Sequence, residues 1–407
     1  MFSISRIQQL IKPISRGRFK RLAEQHQADR YVKRFDSWQH LLAMLYAQWS
    51  GAGSLRQLLA GFNAQHAQHY HLGAARLQRS TLADANARRS PEVFADLVRS
   101  LMAQTQRSVR QPCQALLYLL DSSSISVQGP GFDAWTACTR TRNTQGMKLH
   151  LLLDRHTHTP LWQALSAPNV NDCTAALALP IEAGATYVFD KGYCDYQWWA
   201  RIHAQQAWFV TRFKRNAAVT VQQQLPVPEQ DRALILSDQC VSLRYHHAGG
   251  RRRNPQQLPL RRIEVARPGE TPLVLATNDL CSPAAEIARM YRQRWQVELY
   301  FKWIKQHLNI KRFIGRSENA VKTQILTALI AYLLLQLYAK THALKCSLWE
   351  LLAELRVTLF QRPATEASAY ERRRRLRQPG LGHGGGPDGG PSRQKGEYRG
   401  GDRGAVV

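Results

Sequence analysis

Apolar and polar positions change period along the chain, and each change predicts a different kind of element. From residue 1 to about 107 the apolar residues recur three and four apart, as in helices that bury one stripe. Trp38, Leu41, Leu42, Leu45, Tyr46 and Trp49 form such a stripe. Asp36 or Ser37 stands where an N-cap is needed, and Gly51 and Gly53 where the helix should stop. Ser80 or Thr81 is expected to open a short helix, with Asp84 completing a capping box. Ser90, Pro91 and Glu92 should open another through Val93, Phe94, Leu97, Val98 and Leu101.

Short apolar runs replace that period after about residue 108. Residues 115–120 (ALLYLL) end at Asp121 and precede SSSISV; 147–153 (MKLHLLL) follow, then 187–189 (YVF) ending at Asp190, then 208–211 (WFVT). Segments 172–179 and 196–203 read as helix or loop between them. Strands first and alternating helices after predict a mixed sheet covered by helices over 108–212, an α/β fold of RNase H type. Polar residues at strand ends line the ligand crevice of such sheets, which is where Asp121 and Asp190 fall.

Residues 213–280 alternate in short strands (ALILS, SLRYHH, LRRIEVA, PLVLATN) with turn signals at 248–250 and 268–269 and the triplet Arg251, Arg252, Arg253. A polar loop this long inside a compact domain is uncommon, so a β-rich insertion is the economical reading. The helical period returns over 281–360. Residues 286–308 (EIARMYRQRWQVELYFKWIKQHL) read as one amphipathic helix, with Val297, Phe301, Ile304 and Leu308 as its apolar stripe. Residues 320–340 and 347–360 read as further helices, with Leu348, Leu351, Leu352, Leu355 and Val357 facing the core. From about 361 to 407 Arg, Gly and Pro dominate, a composition that cannot bury enough apolar surface to fold, so a disordered tail is expected.

The 407 residues carry a formal net charge of +27, which makes a polyanion the expected partner and predicts steeply salt-dependent binding. Neither a signal pattern nor a spanning segment is read, and the apolar run 325–338 is shorter than a bilayer needs. A cytoplasmic protein is the expectation. The seven cysteines lack any C-x-x-C pair, which argues for reduced thiols and against a zinc site. Basic clusters in the N-terminal helices (Arg16, Arg18, Lys20, Arg21; Lys33, Arg34; Arg76, Arg79; Arg88, Arg89) suit a helical reader of DNA ends as well as a solvated surface.

On the helix 286–308, Tyr291, Arg294, Glu298 and Lys305 fall within roughly 60° of one another at 100° per residue. A carboxylate between an Arg and a Lys on one face suits phosphate chemistry; it equally suits weak surface ion pairs. The four residues and their gaps of two, three and six match the Y-R-E-K signature, and the chain resembles the DDE transposases of insertion-sequence family four. Asp190-Lys191-Gly192-Tyr193 is similar to the D-[RK]-G-Y motif around that family's second acid. The likeness spans residues 1 to about 360, including YVKRFDSWQHLLAMLYAQWSG and RSTLADANARR, and such transposases carry a β-strand insertion at the same place in motif order.

The resemblance implies Asp121, Asp190 and Glu298 as catalytic acids and metal ligands for Mg²⁺ or Mn²⁺, with two ions the expected number. It implies Tyr291, Arg294 and Lys305 as DNA contacts, with Lys191 as a further one. Double-stranded DNA is the implied partner, as transposon ends with terminal inverted repeats and as target, bound by a homodimer with no membrane involved, in a bacterial cytoplasm where the DNA-bound protein is nucleoid-associated. Two other readings use the same residues: a domesticated or inactive DNA-binding relative, and an RNase H-fold nuclease that cuts without strand transfer. Asp154 reads as a turn residue, Asp172 and Asp195 as helix starters, and His150 as a sheet residue. Trp295 and Trp303 read as core.

Overall fold

The computed structural model describes residues 4–110, 114–254 and 258–362. In chain order these form α1 (Arg6–Ile11), α2 (Arg16–Gln25), α3 (Ser37–Ser50), α4 (Leu55–Ala64), α5 (His69–Leu72), α6 (Arg79–Arg88), α7 (Glu92–Val109), β1 (Leu117–Ser126), α8 (Pro130–Thr136), β2 (Gly146–Asp154), β3 (Pro160–Ser166), α9 (Asp172–Ala176), β4 (Thr186–Phe189), α10 (Tyr196–Ala204), β5 (Trp208–Arg212), β6 (Val219–Gln224), β7 (Ile235–Leu243), β8 (Leu260–Val265), β9 (Leu273–Thr277), α11 (Ala284–Gln293), α12 (Trp295–His307), α13 (Glu318–Thr341) and α14 (Leu348–Thr358). Cys113 and the basic tail from Pro363 onward lie outside the described residues.

The strands make one mixed sheet in the order β3-β2-β1-β4-β5-β9-β8-β7-β6. β1, β2 and β3 form an antiparallel meander, β4 and β5 run parallel to β1, and β9 returns antiparallel beside β5. The strands of region 213–280 therefore extend the same sheet. Within it Arg261 makes a bidentate pair with Asp238, at 2.8 and 2.5 Å, locking β8 to β7. Two of the expected runs there, ALILS and SLRYHH, share the single strand β7, and β3 and β6 were not anticipated.

Successive side chains of a strand point to opposite faces, and the sheet is apolar on both. Leu119, Val188 and Val210 face a core shared with α7, α11, α12 and α13. Tyr118, Leu120, Tyr187, Phe189 and Phe209 face the other, with Trp198 and Trp199 of α10. β1 does not end at Asp121, as the apolar run suggested. It continues to Ser126 because Ser122–Ser126 pair with His150–Gly146 of β2, so that polar stretch is held by a partner remote in sequence.

Helix α13, with its 24 residues, is longer than its apolar run, and by length and composition it could cross a membrane; 89% of its most apolar window is buried inside the protein. It packs against α3, α6, α7, α1 and α14. The amino-terminal helices thus share a core with the carboxy-terminal ones, and the backbones of Arg6 and Ile7 donate to Gln361 and Leu359. Asp36 caps α3 by accepting from the Gln39 N–H, and Gly51 ends it at φ +73°. α6 starts at Arg79 without a side-chain cap, so neither Ser80 nor Thr81 opens it. On α14, Leu351, Leu352 and Leu355 are buried, whereas Val357 is 76% exposed and does not face the core.

Candidate active site

Parallel pairing brings two of the acids level. β1 and β4 run in register from Leu117 beside Thr186 to Leu120 beside Phe189, so the next residues along, Asp121 and Asp190, stand side by side on neighbouring strands. Parity directs both toward the face that carries Leu119 and Val188. β4 and β5 are in register from Thr186 beside Trp208 to Val188 beside Val210, which brings Arg212 level with Asp190. Its guanidinium donates to the Asp190 carboxylate at 3.2 Å. The row Asp121, Asp190, Arg212 crosses three strands at a spacing of roughly 4.8 Å. Asp190 Oδ1 also accepts from the Gly192 N–H at 2.8 Å, starting the turn Lys191–Tyr193.

The third acid comes from α12. Residues 286–308 are two helices and not one: the Arg294 N–H bonds to Tyr291 O and the Val297 N–H to Arg294 O, so three-residue turns break the four-residue ladder there. The break separates Tyr291, which is buried on α11, from Glu298 on α12. Val297, Phe301, Ile304 and Leu308 are buried as their spacing predicts. Trp295 is 58% exposed, contrary to expectation, on the face of α12 that also carries Leu299 and Lys302, opposite the buried stripe; Trp303 is half-buried against Tyr332.

Arg294 joins the helix to the row, with one guanidinium nitrogen 2.7 Å from Glu298 and another 3.5 Å from Asp121. Its partners here are carboxylates, whereas the sequence pointed to phosphates. Lys305 Nζ donates to the carbonyl of Ser124 on β1 at 2.8 Å, and burial lowers its pKa. Asp121, Ser122, Glu298, Lys302, Lys305 and Lys311 line an open cleft of about 340 Å³. Burial pushes the Asp121 carboxyl up to about 6. Glu298 and Asp190 add to the rise, and the Ser122 N–H and Arg294 oppose it. Asp190 does not line this cleft, and Lys191, the residue after it, is exposed.

On the reverse face lies a network that sequence reasoning missed. Asp172 Oδ1 accepts from Ser122 Oγ at 3.1 Å and from Lys148 Nζ at 3.0 Å, and His150 Nδ1 stands 3.8 Å away. Cys173 Sγ donates to the Gly192 carbonyl at 3.2 Å. The start of α9 is thereby tied both to the residue after Asp121 and to the turn that follows Asp190. Asn171, and not Asp172, caps α9. His150 is a buried sheet residue whose burial lowers it to about 4, leaving it neutral near pH 7. Asp154 accepts two backbone N–H groups in a turn and Asp195 caps α10, as expected. Arg212, like Asp172, had no local signal: only the strand register reveals it.

The three carboxylates offer oxygen donors only, the chemistry preferred by a hard divalent cation, and a guanidinium supplies the positive charge between two of them. The buried, raised Asp121 is the acid that gains most from such a cation. The acids are not drawn into a closed cage: among the described residues, no three His, Cys, Asp or Glu side chains form a ready metal site. The set therefore fits in chemistry, with Arg294 standing where a bound cation would compete for Asp121 and Glu298.

Comparison with known proteins adds a second line of information. The family model described as "Transposase DDE domain" matches residues 112–334, and one described only as a domain of unknown function matches 3–75. The chain is 41% identical over 261 residues to transposase y4zB of Sinorhizobium fredii, covering 64% of this chain and 71% of that one. It is 28% identical over 279 residues to a transposase for insertion sequence element IS5377 of Geobacillus stearothermophilus, covering 66% and 70%. A 52-residue stretch is 50% identical to a transposase for element IS4SA of Synechocystis, over 13% of this chain and 15% of the other.

Proposed function

The chain belongs to the family of transposases that carry a DDE domain, and on that premise we propose that Asp121, Asp190 and Glu298 are its catalytic acids. As a DNA transposase of an insertion-sequence element it cleaves DNA and transfers strands, and the Y-R-E-K spacing fits family four. The observation that carries the assignment is the level pair on β1 and β4 with Glu298 linked to Asp121 through Arg294. The sheet order from β3 to β5, three antiparallel strands followed by two parallel ones, supports an RNase H-type core. Region 213–280 is then an insertion between that core and α11, and the amino-terminal helices with their Arg clusters the reader of the terminal inverted repeats.

Members of this family generally use divalent metal ions, and Mg²⁺ or Mn²⁺, two ions being the expected number, would supply Lewis-acid activation of the attacking oxygen and charge stabilisation at the leaving 3′ oxygen. Asp121, Asp190 and Glu298 are the residues that would hold them. Arg294, released from Glu298, and Lys305 contact phosphates beside the scissile bond, and Lys191 contacts the backbone near Asp190. Tyr291 is buried, and its part is to set the position of Arg294, whose guanidinium lies over its ring at 6.0 Å. Two copies of the chain act together on paired ends.

The direct test is Asp190→Asn, assayed for nicking of a labelled element end with Mg²⁺ present. Loss of one charge at the reacting centre should lower nicking by roughly 10²-fold or more. End binding, measured alongside, should stay within about twofold. Nicking at the parent rate would remove Asp190 from the site. Joined products from a parent reaction supplied with target DNA separate strand transfer from simple nuclease action.

A further inference from the structure

Beyond the cleft, a concentration of positive charge without ion-pair partners lies at the opposite end of the site row. The loop after β5 carries Lys214 and Arg215, and the loop after β7 carries Arg244, Arg251, Arg252 and Arg253; all six are exposed. None has a carboxylate within 4.0 Å among the described residues, whereas Arg99, Arg110 and Arg267 elsewhere on the surface are ion-paired. No Asp or Glu occurs between Tyr196 and Pro228 or between Gln239 and Ile263. The two loops are one surface: the Gly249 N–H donates to Asn216 O, the Arg244 N–H to Ala218 O and the His246 N–H to Arg252 O. Thr220, Gln222 and Tyr245 line a polar groove of about 430 Å³ with Arg244 and Arg253.

This surface begins at the site. Arg212 pairs with Asp190, and Lys214, two residues on, lies beside Cys194 next to the turn that follows Asp190. The cleft lysines Lys302, Lys305 and Lys311 approach the row from its β1 end, while these loops leave it from its β5 end. The acids thus lie between two groups of cations.

We propose that the loops 214–218 and 244–254 form a second phosphate-backbone subsite, which holds the DNA on the far side of the scissile phosphate from the length gripped by Lys302, Lys305 and Lys311. The subsite rests on the assignment of Asp121, Asp190 and Glu298 as the cutting centre. It reads no sequence: the groups are guanidinium and ammonium cations with hydroxyl and amide donors, which match phosphodiester oxygens at any base.

The test uses the full chain, the parent, and the triple variant Arg251→Ala, Arg252→Ala, Arg253→Ala. Binding is measured by anisotropy on three duplexes: one extending on both sides of the cut position, and two truncated beside it, one on each side. One truncation should weaken the parent by roughly 10-fold or more, yet cost the triple variant almost nothing, because the variant has already lost that contact. On the full duplex the slope of log affinity against log salt should fall by roughly 0.9 for each arginine that contacts a phosphate. A second variant, Lys214→Ala with Arg215→Ala on the neighbouring loop, should give the same side-specific loss.

A triple variant that binds the full duplex like the parent, with an unchanged slope, overturns the subsite. Equal sensitivity of variant and parent to both truncations overturns it too, by reducing the charge to a general attraction. Failure of the cutting-centre assignment looks different: Asp190→Asn would nick normally while the side-specific affinity loss persisted.

Discussion

Asp121 and Asp190 reach the proposed site by strand register, Glu298 by side-chain anchorage, and the two means of placement differ in what can disturb them. The strand pair is fixed by backbone hydrogen bonds continuous through β1, β4 and β5, and is braced from behind by Asp172. Glu298 lies more than a hundred residues further along, after the region that forms β6 to β9. Its helix is held to the row by the apolar face of α12, the Arg294 pairs and the Lys305 bond to Ser124. At its far end Asn309 donates to Gln48 Oε1 at 2.7 Å and to the Ala47 carbonyl at 2.8 Å, so α3 also sets where α12 stops. A site assembled this way has a rigid half and an adjustable half.

The largest effect expected from breaking the contrast is Phe301→Ala. Phe301 is 4% exposed on the apolar face of α12, and its removal should cost about 3–5 kcal/mol and undo the helix-borne half first. Denaturant titration gives the loss. Hydrogen exchange should show α12 opening before β1 and β4; simultaneous opening of all three would deny the distinction.

Next in size is a pH-dependent effect on the strand-borne half. Asp121 is raised to about 6 in the fold. Its protonated form therefore adds stability that is fully present below the unfolded value, near pH 4, and is lost as pH rises through about 6, an effect of about 2–3 kcal/mol at most. In EDTA, Asp121→Asn and the parent should melt alike below about pH 4, and the variant should melt higher above pH 6. A variant that melts lower at pH 8 would mean the Arg294 attraction outweighs burial.

Smaller again is Asp172→Ala, which should loosen the brace behind the row and lower nicking by roughly 10- to 100-fold, with end binding kept. Asp172→Asn keeps an acceptor for Ser122 and Lys148 and should recover most of the loss. If Asn recovers nothing, the charge of Asp172 matters and not its hydrogen bonds.

What could be read from the sequence follows the same division. The stripe Val297, Phe301, Ile304, Leu308 was legible because helical spacing is local, and all four are buried. Asp36 and Gly51 as the ends of α3 were legible for the same reason. The extent of β1 was not, since Ser122–Ser126 owe their extended form to pairing with β2. β3 has no clean alternation, being half-buried along most of its length, and was missed. The break at Arg294 changes one turn of hydrogen bonding without any Gly or Pro to announce it. Neither Arg212 nor Asp172 carries a motif visible along the chain; one is found by counting along paired strands, the other by the contacts of its carboxylate.

The central claim, that the anchored helix completes a cutting centre begun by the strands, is tested most directly by Glu298→Gln. The substitution keeps the side chain's size and a hydrogen-bonding partner for Arg294 but removes the charge that holds a metal. In a paired assay of end binding and Mg²⁺-dependent nicking on the same labelled fragment, binding should be nearly that of the parent and nicking abolished. If Glu298→Gln nicks DNA as well as the parent does, Glu298 is an ordinary helix charge paired with Arg294, and the centre does not include α12.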